Sequence, residues 1–543
     1  MFLIPFIRSK KKFTEFVSVR SDLIIAALLL FVGSFIRVCL LDVLPGGCNQ
    51  DETSAAYDAY SIMKYGIDRN GMSHPIHLIA WGSGQNALYS YLCIPFLYVF
   101  GNTEIGMRLP MAIVGTLSLY FTYFTFNKTF SKKFALLSLF MLTIMPWHVM
   151  KSRWGLESNL FPDLVLWGSL LLLLAIREKK HIFFYLSAIV FGISSYSYGT
   201  SYFFLFFYVI FILVLLMIRK NEKWYHCLIY LFTVGIVCLP IMIFLYINLT
   251  GKDTIHFLWF DIPKLKVDRF HSVTSIFSCD FFSNVFKNFK EGILLIWRQD
   301  DSLPWNSVKY FGTIYLITLP FSVIGLFRVR TMKSKLLKGI SSEEISIDFT
   351  YDMLRIWLVV SLMMMCILSN NINRLNVIWL PLTFLAALGI ENMIQIQPMI
   401  KCPVSILYTG CFIGFSIVYP TKWNKEIVRP YFFYGLKEAI QYTDSIETDS
   451  IYLSDGVNYT MVLYYTEYDV HDYIETVEFY NPGSAFENPK SFGKYNFYLP
   501  STIKEGSVYL VETETKYEAY YESYETKTFG DYTVLNTTVK VID

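Results

Sequence analysis

Long apolar runs separated by short polar segments dominate the chain from about residue 20 to residue 420. A helix needs roughly 20 apolar residues to cross about 30 Å of hydrocarbon. Runs that meet or approach this length occupy residues 22–43, 107–126, 134–150, 160–176, 182–198, 201–218, 226–247, 308–327, 353–369, 376–394 and 403–419. A shorter run, 87–100, is expected to lie in the interface or to re-enter the membrane. The pattern predicts a polytopic α-helical membrane protein with about 11 spans.

Composition supports a membrane protein. Only 17% of the 543 residues are charged, whereas 54% are hydrophobic and 18% are aromatic. A soluble domain carries about 25% charged residues. The nine cysteines show no paired or metal-ligand spacing, which argues against a disulfide scaffold or a zinc site. The first apolar run is longer than a signal-peptide core and lacks a small-residue cleavage site, so it is predicted to be a retained span.

The basic residues indicate the orientation of the spans. A cytoplasmic N-terminus places four connections inside, each rich in Lys or Arg as the positive-inside rule requires: 127–133, 177–180, 219–223 and 328–338. The outside segments are then 44–106, 149–158, 248–307, 370–375 and the tail from about residue 420. Residues 1–420 are therefore predicted to form a membrane module with two long extracytoplasmic loops, 44–106 and 248–307.

The tail, 421–543, has the composition of a soluble α/β domain on the extracytoplasmic side. LKEAIQYTDSI (436–446) and YTMVLYYTEY (459–468) have helical patterns, whereas SIYLSD (450–455) and SVYLVET (507–513) are typical of short buried strands. The tail contains no phosphate loop, nucleophile elbow or metal cluster. Its many tyrosines either line a carbohydrate surface or, more commonly, cover a small sheet.

Two adjacent carboxylates, Asp51 and Glu52, stand early in the first outside loop, just after a Pro-Gly-Gly turn. The simplest role for Asp51 is to cap the helix that follows. Capping is compatible with catalysis, because the helix dipole keeps a carboxylate at this end ionised, and an ionised carboxylate can accept a hydroxyl proton. Neighbouring helical residues point about 100° apart, so we predict that Asp51 is the base and that Glu52 supports it.

Three arginines stand near the outside ends of predicted spans: Arg108, Arg153 and Arg374. Each alone has an ordinary explanation, since basic and aromatic side chains anchor span ends at the interface. Three guanidinium groups on one side of the membrane favour phosphate binding, because they bind phosphate in a bidentate way and stay charged. The further substrate-binding candidates are Glu157 and Tyr57, with Lys64 and Arg69 weaker because only their position in the loop favours them. His148 is interpreted as a packed residue rather than a metal ligand.

With these residues, the chain resembles the polytopic glycosyltransferases of the GT-C fold. The resemblance is to the protein-mannosyltransferase-like family 39 and its bacterial aminoarabinose- and glycosyl-transferring relatives. It rests on the order of the Asp51-Glu52 pair, YGIDRNGMSHP (65–75), GNTEIGMRLP (101–110), SRWGLESNLFP (152–162) and NRLNVIWLP (373–381). It covers residues 20–200 well and 350–395 moderately, and it does not include the tail.

The resemblance implies a sugar donor linked to polyprenyl phosphate and a direct, inverting displacement outside a bacterial plasma membrane. Asp51 would accept the proton of the acceptor hydroxyl or align that hydroxyl, and Arg108, Arg153 and Arg374 would be the candidates to hold the departing lipid phosphate. The family implies no metal or other cofactor and no nucleic-acid partner; the acceptor is a glycan, a lipid or a protein. This chain lacks the large inserted domains of eukaryotic protein mannosyltransferases, so protein mannosylation does not follow.

The sequence is compatible with three other classes of protein. A transporter would place ionisable residues at mid-membrane on broken helices, whereas here the charges gather at outside ends. A metal-dependent oligosaccharyltransferase or a polysaccharide ligase would be expected to show an acidic cluster for a divalent ion, or a large loop rich in His and Arg, and neither is evident in the sequence. Acidic residues scattered through 248–307, among them Asp253, Asp261 and Asp301, could converge in space to form one. A non-catalytic surface protein would leave the polar outside residues unexplained.

Overall fold

A computed structural model describes residues 3–268, 274, 280–327, 342–513, 515 and 517–541, with side chains described from residue 21 onward. Helices of the membrane module are α1 (Leu3–Val38), α2 (Gln50–Tyr65), α3 (Leu88–Phe100), α4 (Glu104–Thr129), α5 (Lys132–Ile144), α6 (Pro146–Lys151), α7 (Glu157–Glu178), α8 (His181–Ser194), α9 (Ser201–Ile218), α10 (Trp224–Thr250), α11 (Phe281–Arg298), α12 (Thr318–Gly325), α13 (Ser342–Ile367), α14 (Trp379–Ile396) and α15 (Lys401–Val418). Two short hairpins lie in its long connections, β1–β2 (His77–Leu78, Gln85–Asn86) and β3–β4 (Ile255–Phe257, Phe260–Ile262).

Helices long and apolar enough to cross a membrane confirm the polytopic fold. Within the described residues there are eight: Ser21–Val38, Glu104–Thr129, Glu157–Glu178, Ser201–Ile218, Trp224–Thr250, Ser342–Ile367, Asn376–Ile396 and Pro398–Tyr431. The apolar helices Leu88–Phe100 and His181–Ser194 are shorter. The basic connection 328–338, one of the four predicted to be cytoplasmic, lies outside the described residues.

Three of the predicted spans contain helices too short to cross the hydrocarbon alone. Pro146 ends the helix in 134–150, leaving the 13-residue α5, and α8 stops after 14 residues. In 308–327 only α12, with eight residues, is helical. At 1.5 Å per residue, 14 residues extend about 21 Å. The number of spans therefore stays a prediction.

The membrane module contains a very close helix crossing, between α12 and α14. A methyl group added to Gly325 would lie 1.7 Å from the carbonyl oxygen of Leu385, and one added to Gly389 would lie 2.0 Å from that of Phe321. Only residues without a side chain allow two backbones to approach this closely. The short α12 is therefore held in place by backbone packing against α14.

The tail forms the predicted α/β domain, and its sheet has seven strands. Its helices are α16 (Leu436–Ser445), α17 (Tyr459–Tyr465) and α18 (Val470–Thr476); its strands are β5 (Ile451–Leu453), β6 (Glu478–Phe479), β7 (Pro489–Phe492), β8 (Tyr495–Asn496), β9 (Val508–Glu512), β10 (Tyr524–Phe529) and β11 (Tyr532–Lys540). The strand order is β10-β11-β9-β5-β8-β7-β6, and β5 runs parallel to both its neighbours. The two predicted strands, β5 and β9, pair at the sheet centre with Leu453 opposite Leu510.

The tyrosines of the tail mainly cover this sheet. Tyr452, Tyr509, Tyr517 and Tyr524 pack with Leu535 and a valine into a small apolar cluster. Each of the four is at most 9% exposed. These tyrosines therefore form a core layer, which is the commoner of the two roles considered from the sequence.

The tail domain packs directly on α2, the helix that carries Asp51. A shared apolar core includes Tyr57 of α2 and Leu463 of α17. Across the same contact the hydroxyls of Thr53 and Thr460 lie 2.9 Å apart, and Tyr57 donates a hydrogen bond to the carbonyl of Tyr468. Because burial and hydrogen bonding act together here, α2 is fixed between the membrane module and the tail domain.

Candidate active site

The first turn of α2 forms a capping box. Asn49 is the N-cap residue, and its side-chain oxygen accepts the backbone N–H of Asp51 at 2.9 Å. Glu52 reaches back and accepts the backbone N–H of Asn49 at 3.0 Å. The simple interpretation that Asp51 caps this helix is therefore wrong, because Asn49 does so.

Asp51 is instead the second residue of α2, and its side chain is half-buried. Its carboxylate makes no hydrogen bond or ion pair with any residue that the structure describes. Burial, followed by the charge of Glu52, raises the pKa of Asp51 from 3.8 to about 6, while the charge of Arg69 lowers it. The result is an unpartnered carboxylate whose pKa lies close to neutral pH.

Glu52 is fully buried and forms a two-point ion pair with Arg108. Nε and Nη2 of Arg108 each donate to one carboxylate oxygen at 2.9 Å. The backbone N–H of Gly155 donates a further hydrogen bond at 2.8 Å, so that Glu52 accepts four in all, counting the one from Asn49. Glu52 therefore acts as a positioning residue that joins α2, α4 and the segment before α7, and it is not placed to touch a substrate.

Arg108 is fully buried as well, and its contacts contradict the predicted role in phosphate binding. Its Nη1 donates to the carbonyls of Leu41 and Pro45, both at 2.9 Å, and its Nη2 donates to that of Gly47 at 2.6 Å. With the two bonds to Glu52, these contacts use all five N–H groups of the guanidinium. No donor remains for a lipid phosphate.

Arg153 also has a structural place that contradicts phosphate binding. Its guanidinium closes the C-terminal end of α1, where the last carbonyls of a helix lack partners. Nη1 donates to the carbonyl of Ile36, Nη2 donates to those of Cys39 and Leu40, and Nε donates to that of Leu44. The residue is only 2% exposed.

Arg374 differs from the other two predicted arginines. It is half-buried, and only its Nη1 is engaged, by the carbonyl and the hydroxyl of Ser369. Two residues further on, the side-chain amide of Asn376 donates to the carbonyl of Ser158 at 2.6 Å. This contact ties the Arg374 segment to the beginning of α7, whose first residue is Glu157. The Nε and Nη2 donors of Arg374 have no partner among the described residues.

Glu157, the first residue of α7, lies close to Asp51. Their carboxylates are near enough for the two charges to repel each other. Glu157 accepts the backbone N–H of Asn86, whose side-chain amide donates to the Tyr202 hydroxyl at 2.9 Å. Asp51, Glu157 and Asn86 thus form one polar region between α2, α7 and β2.

Tyr57 and Lys64 do not belong to this region. Tyr57 is fully buried and donates to the backbone of the tail domain, which contradicts substrate binding. Lys64 is exposed at the other end of α2, where its ammonium donates to the Tyr60 hydroxyl at 2.9 Å. Thirteen residues of helix separate it from Asp51, a distance of about 20 Å, so Lys64 cannot contact the same substrate atoms.

Arg69, a weak candidate in the sequence, makes several contacts with α2. It is buried beside α2, pairs with Asp58 at 3.0 Å and donates to the hydroxyl of Ser54. Ser54 lies one helical turn after Asp51, on the same face, and it also donates to the Gln85 side chain at 3.2 Å. Sequence reasoning missed Ser54, Gln85 and Asn86; the available signal was the polar GSGQN segment (82–86) between apolar runs.

A cavity of about 680 Å³ opens beside Arg69. Its walls come from the first long loop, the second long loop and the tail domain, and they include Lys264, Lys266, Tyr459 and Tyr473. The walls are joined to each other, since the backbone N–H of Glu487 donates to the carbonyl of Trp81 at 2.8 Å and that of Val267 donates to the carbonyl of Gly82 at 3.1 Å. The cavity thus borders Arg69, and the guanidinium of Arg69 contacts Ser54, one helical turn after Asp51.

His148 is a packed residue, as interpreted from the sequence. It is fully buried, its Nε2 lies 3.2 Å from a carboxylate oxygen of Asp163, and its Nδ1 lies 2.8 Å from Nη2 of Arg37. Lys151 also pairs with Asp163. This buried charge cluster joins α1, α6 and α7 and leaves His148 no position facing a cavity.

Part of the chain matches a known protein family, and its fold is similar to that of solved structures. Residues 86–247 match the model of the family described as dolichyl-phosphate-mannose-protein mannosyltransferase. The crystal structure of ArnT from Cupriavidus metallidurans bound to undecaprenyl phosphate is similar, with a TM-score of 0.55 and 11% identity over 95% of this chain and 97% of that chain. A search of curated proteins finds no match.

Two further solved structures are similar at a lower level. The apo form of the same ArnT has a TM-score of 0.47 and 12% identity over 96% of this chain and 98% of that one. The archaeal oligosaccharyltransferase AglB from Archaeoglobus fulgidus, in complex with an inhibitory peptide and a dolichol-phosphate, has a TM-score of 0.45 and 11% identity over 82% of this chain and 63% of that one.

The likeness to ArnT at 11% identity shows the fold, which is the polytopic GT-C membrane fold with a C-terminal sheet domain. The family match adds the enzyme class to the fold. The resemblance stated from the sequence is confirmed: the chain is a membrane glycosyltransferase of the GT-C type.

Proposed function

We propose that this chain transfers one sugar from a polyprenyl-phosphate donor to an acceptor hydroxyl on the extracytoplasmic side, with Asp51 as the base. The observation that carries the proposal is the carboxylate of Asp51, which is half-buried and free of partners among the described residues. It stands on a helix held by the buried Glu52–Arg108 pair and by the tail domain. A rigid position of this kind favours a group that must meet a reacting atom.

The proposed reaction is a single displacement at the anomeric carbon. The acceptor oxygen forms a bond to C1 of the sugar, the bond from C1 to the phosphate oxygen breaks, and the lipid phosphate leaves as an anion. The hydroxyl proton passes to Asp51. One displacement inverts the configuration at C1. With a pKa of about 6, Asp51 is about nine-tenths ionised at pH 7, which is the form that accepts a proton.

Arg374 is the proposed partner of the lipid phosphate. Of the three arginines considered, it is the one with unused donors in the described structure, because Arg108 and Arg153 are filled by protein acceptors. A fixed guanidinium stabilises the charge that develops on the leaving phosphate without a general acid. Glu157 stays a proposed sugar-binding residue beside Asp51.

The cavity next to Arg69 is the proposed acceptor site. Tyr459 and Tyr473 present aromatic rings there, and Lys264 and Lys266 add positive charge. Aromatic faces stack on sugar rings, and lysines attract anionic groups. Tyr473→Ala is expected to raise the KM for the acceptor while leaving the KM for the donor unchanged. Equal KM values for the acceptor in the variant and the parent would contradict the assignment of this cavity as the acceptor site.

The test of the base is Asp51→Asn in proteoliposomes supplied with labelled lipid-linked sugar. Loss of the base is expected to lower the transfer rate by at least about a hundredfold, with unchanged folding. Asp42→Asn is a matched control, because Asp42 is an exposed aspartate on the same connection. Transfer by Asp51→Asn at the parent rate would overturn the assignment.

The phosphate assignment has its own test. Arg374→Ala is expected to raise the KM for the donor, and Arg374→Lys should restore part of the affinity because it keeps the charge but not the planar fork. Arg298→Ala is the control, since Arg298 is an exposed arginine at the end of α11. Donor affinity that is equal in Arg374→Ala and in the parent would exclude Arg374 from the site.

We further propose that transfer needs no metal ion. The metal-dependent alternative needs carboxylates that converge, but in the described part of 248–307 they have separate partners. Asp261 lies 2.8 Å from Nδ1 of His256, and Asp301 accepts the side-chain amide of Asn306 at 2.8 Å. Activity is expected to survive EDTA. Loss that added Mn²⁺ or Mg²⁺ restores would favour the oligosaccharyltransferase alternative.

A further inference from the structure

Two connections of the membrane module bring three metal-binding side chains together. His181 is the first residue of α8, Glu222 lies in the connection between α9 and α10, and His226 lies in the first turn of α10. One ligand atom from each of the three lies within 4.8 Å of the others. Nδ1 of His181 is 3.6 Å from a carboxylate oxygen of Glu222, and the two imidazole rings stack with centroids 4.0 Å apart.

Two imidazoles and one carboxylate are a ligand set that suits zinc and similar ions. In a tetrahedral site the ligand atoms lie about 2.1 Å from the metal, and therefore about 3.4 Å from each other. The separation of 3.6 Å between His181 and Glu222 is close to that value, and the other two separations are at most 4.8 Å. The side chain of His181 is 49% exposed, so rotations of surface side chains bring the three atoms to a common point. Water would fill the fourth position.

One ring nitrogen of His226 already has a hydrogen-bond partner outside the cluster. Its Nδ1 lies 2.7 Å from the hydroxyl oxygen of Tyr185. Metal-binding histidines commonly use one ring nitrogen for a supporting hydrogen bond, which leaves the other for the metal. Tyr185 is thus a supporting residue that holds the ring of His226 and leaves Nε2 for the ion.

A cavity of about 710 Å³ borders the three side chains and gives an ion and its water access. The same cavity is lined by Lys179, Lys220 and Lys223. These positive charges lower the affinity for a dication, because like charges repel. We therefore expect moderate rather than tight binding.

We propose that His181, Glu222 and His226 bind one divalent transition-metal ion of the zinc class. The ion would join the beginnings of α8 and α10. It would not take part in transfer, since the other end of α8 is the one near Asn86, whose amide donates to the carbonyl of Ser195. The helix between them extends about 21 Å. The site therefore acts as a clamp between helix ends and is independent of the proposed transfer reaction.

The test uses the full chain, purified in detergent and stripped with EDTA, and titrated with Zn²⁺ by calorimetry. One bound ion and a rise in the melting temperature are expected. Glu222→Gln and His226→Gln should each abolish that binding, and Tyr185→Phe should weaken it about tenfold. His471→Gln is the matched control, because His471 is also an exposed histidine beside a carboxylate, that of Asp469.

Unchanged Zn²⁺ affinity in both Glu222→Gln and His226→Gln, or no binding by the parent chain, would overturn the proposal. If His226→Gln fails to fold, the exposed His181→Asn variant gives the same test. Cobalt absorption adds a second measurement, since a tetrahedral site with nitrogen and oxygen ligands gives visible bands that the His181→Asn variant should lose.

Discussion

The buried pair between Glu52 and Arg108 offers a sharp test of how α2 is held. Glu52→Gln keeps the size of the side chain but removes its charge, which leaves the guanidinium of Arg108 without a counter-charge at a site with no solvent exposure. Breaking a buried pair from one side costs about 3–5 kcal/mol. A folded protein has only about 5–15 kcal/mol of stability, so this variant should lose a large part of it.

A double-mutant cycle isolates the pair from the other contacts of Glu52. In Glu52→Gln/Arg108→Gln, neither charge remains, so the double variant should be more stable than the sum of the single losses by about 2 kcal/mol. Glu291→Gln is the control, because its ion pair with Lys287 is exposed. That substitution should change stability by less than about 1 kcal/mol.

The free energy of unfolding can be measured by denaturant titration in mixed micelles, with the tryptophan signal as the readout. If Glu52→Gln stays within about 1 kcal/mol of the parent, or if the double variant merely adds the two single losses, the interpretation of Glu52 as a positioning residue is refuted. The rate of transfer per folded molecule should fall less in Glu52→Gln than in Asp51→Asn, since only Asp51 is proposed to receive the proton.

Two further predictions follow from single observations. Because Asp51 acts as a base only when ionised, and its pKa is about 6, kcat/KM should fall about tenfold per pH unit below pH 6; a pH profile that stays flat down to pH 5 would contradict this. Gly389→Ala should sharply lower the yield of folded protein in size-exclusion chromatography, because the new methyl group meets the Phe321 carbonyl. Gly410→Ala is the control, as nothing lies within 4 Å of its added carbon. Equal yields of the Gly389→Ala and Gly410→Ala variants would contradict the inference that the close crossing of α12 and α14 holds the fold.

Much of the secondary structure follows from the sequence, because periodicity and length are local properties. Each predicted span contains a helix, and in the tail α16, α17, β5 and β9 lie where the patterns place them. Two predicted spans contain shorter helices than expected. Pro146 shortens α5 because proline fits the first turn of a new helix better than the interior of the old one. In 308–327, α12 covers only the last part of the predicted span.

Local sequence patterns could not show which arginines have N–H donors available for a substrate. Arg108, Arg153 and Arg374 look equivalent in sequence, each standing near the end of a span. Their partners are far away in the chain: Arg108 meets a carboxylate 56 positions earlier, and Arg153 meets carbonyls more than 100 positions earlier. Only the packing of α1, α2, α4 and α6 shows that two of the three guanidiniums are already filled.

Membrane character, the positions of the helices and the Asp-Glu pair at the start of the first long loop can all be derived from residue pattern and composition. The tertiary structure decided the division between the two carboxylates, since Glu52 is neutralised by Arg108 while Asp51 has no described partner. It also brought Asn86 and Glu157 to Asp51. The physical reason is that membership of a site depends on long-range contacts and on burial, and neither is encoded in local spacing.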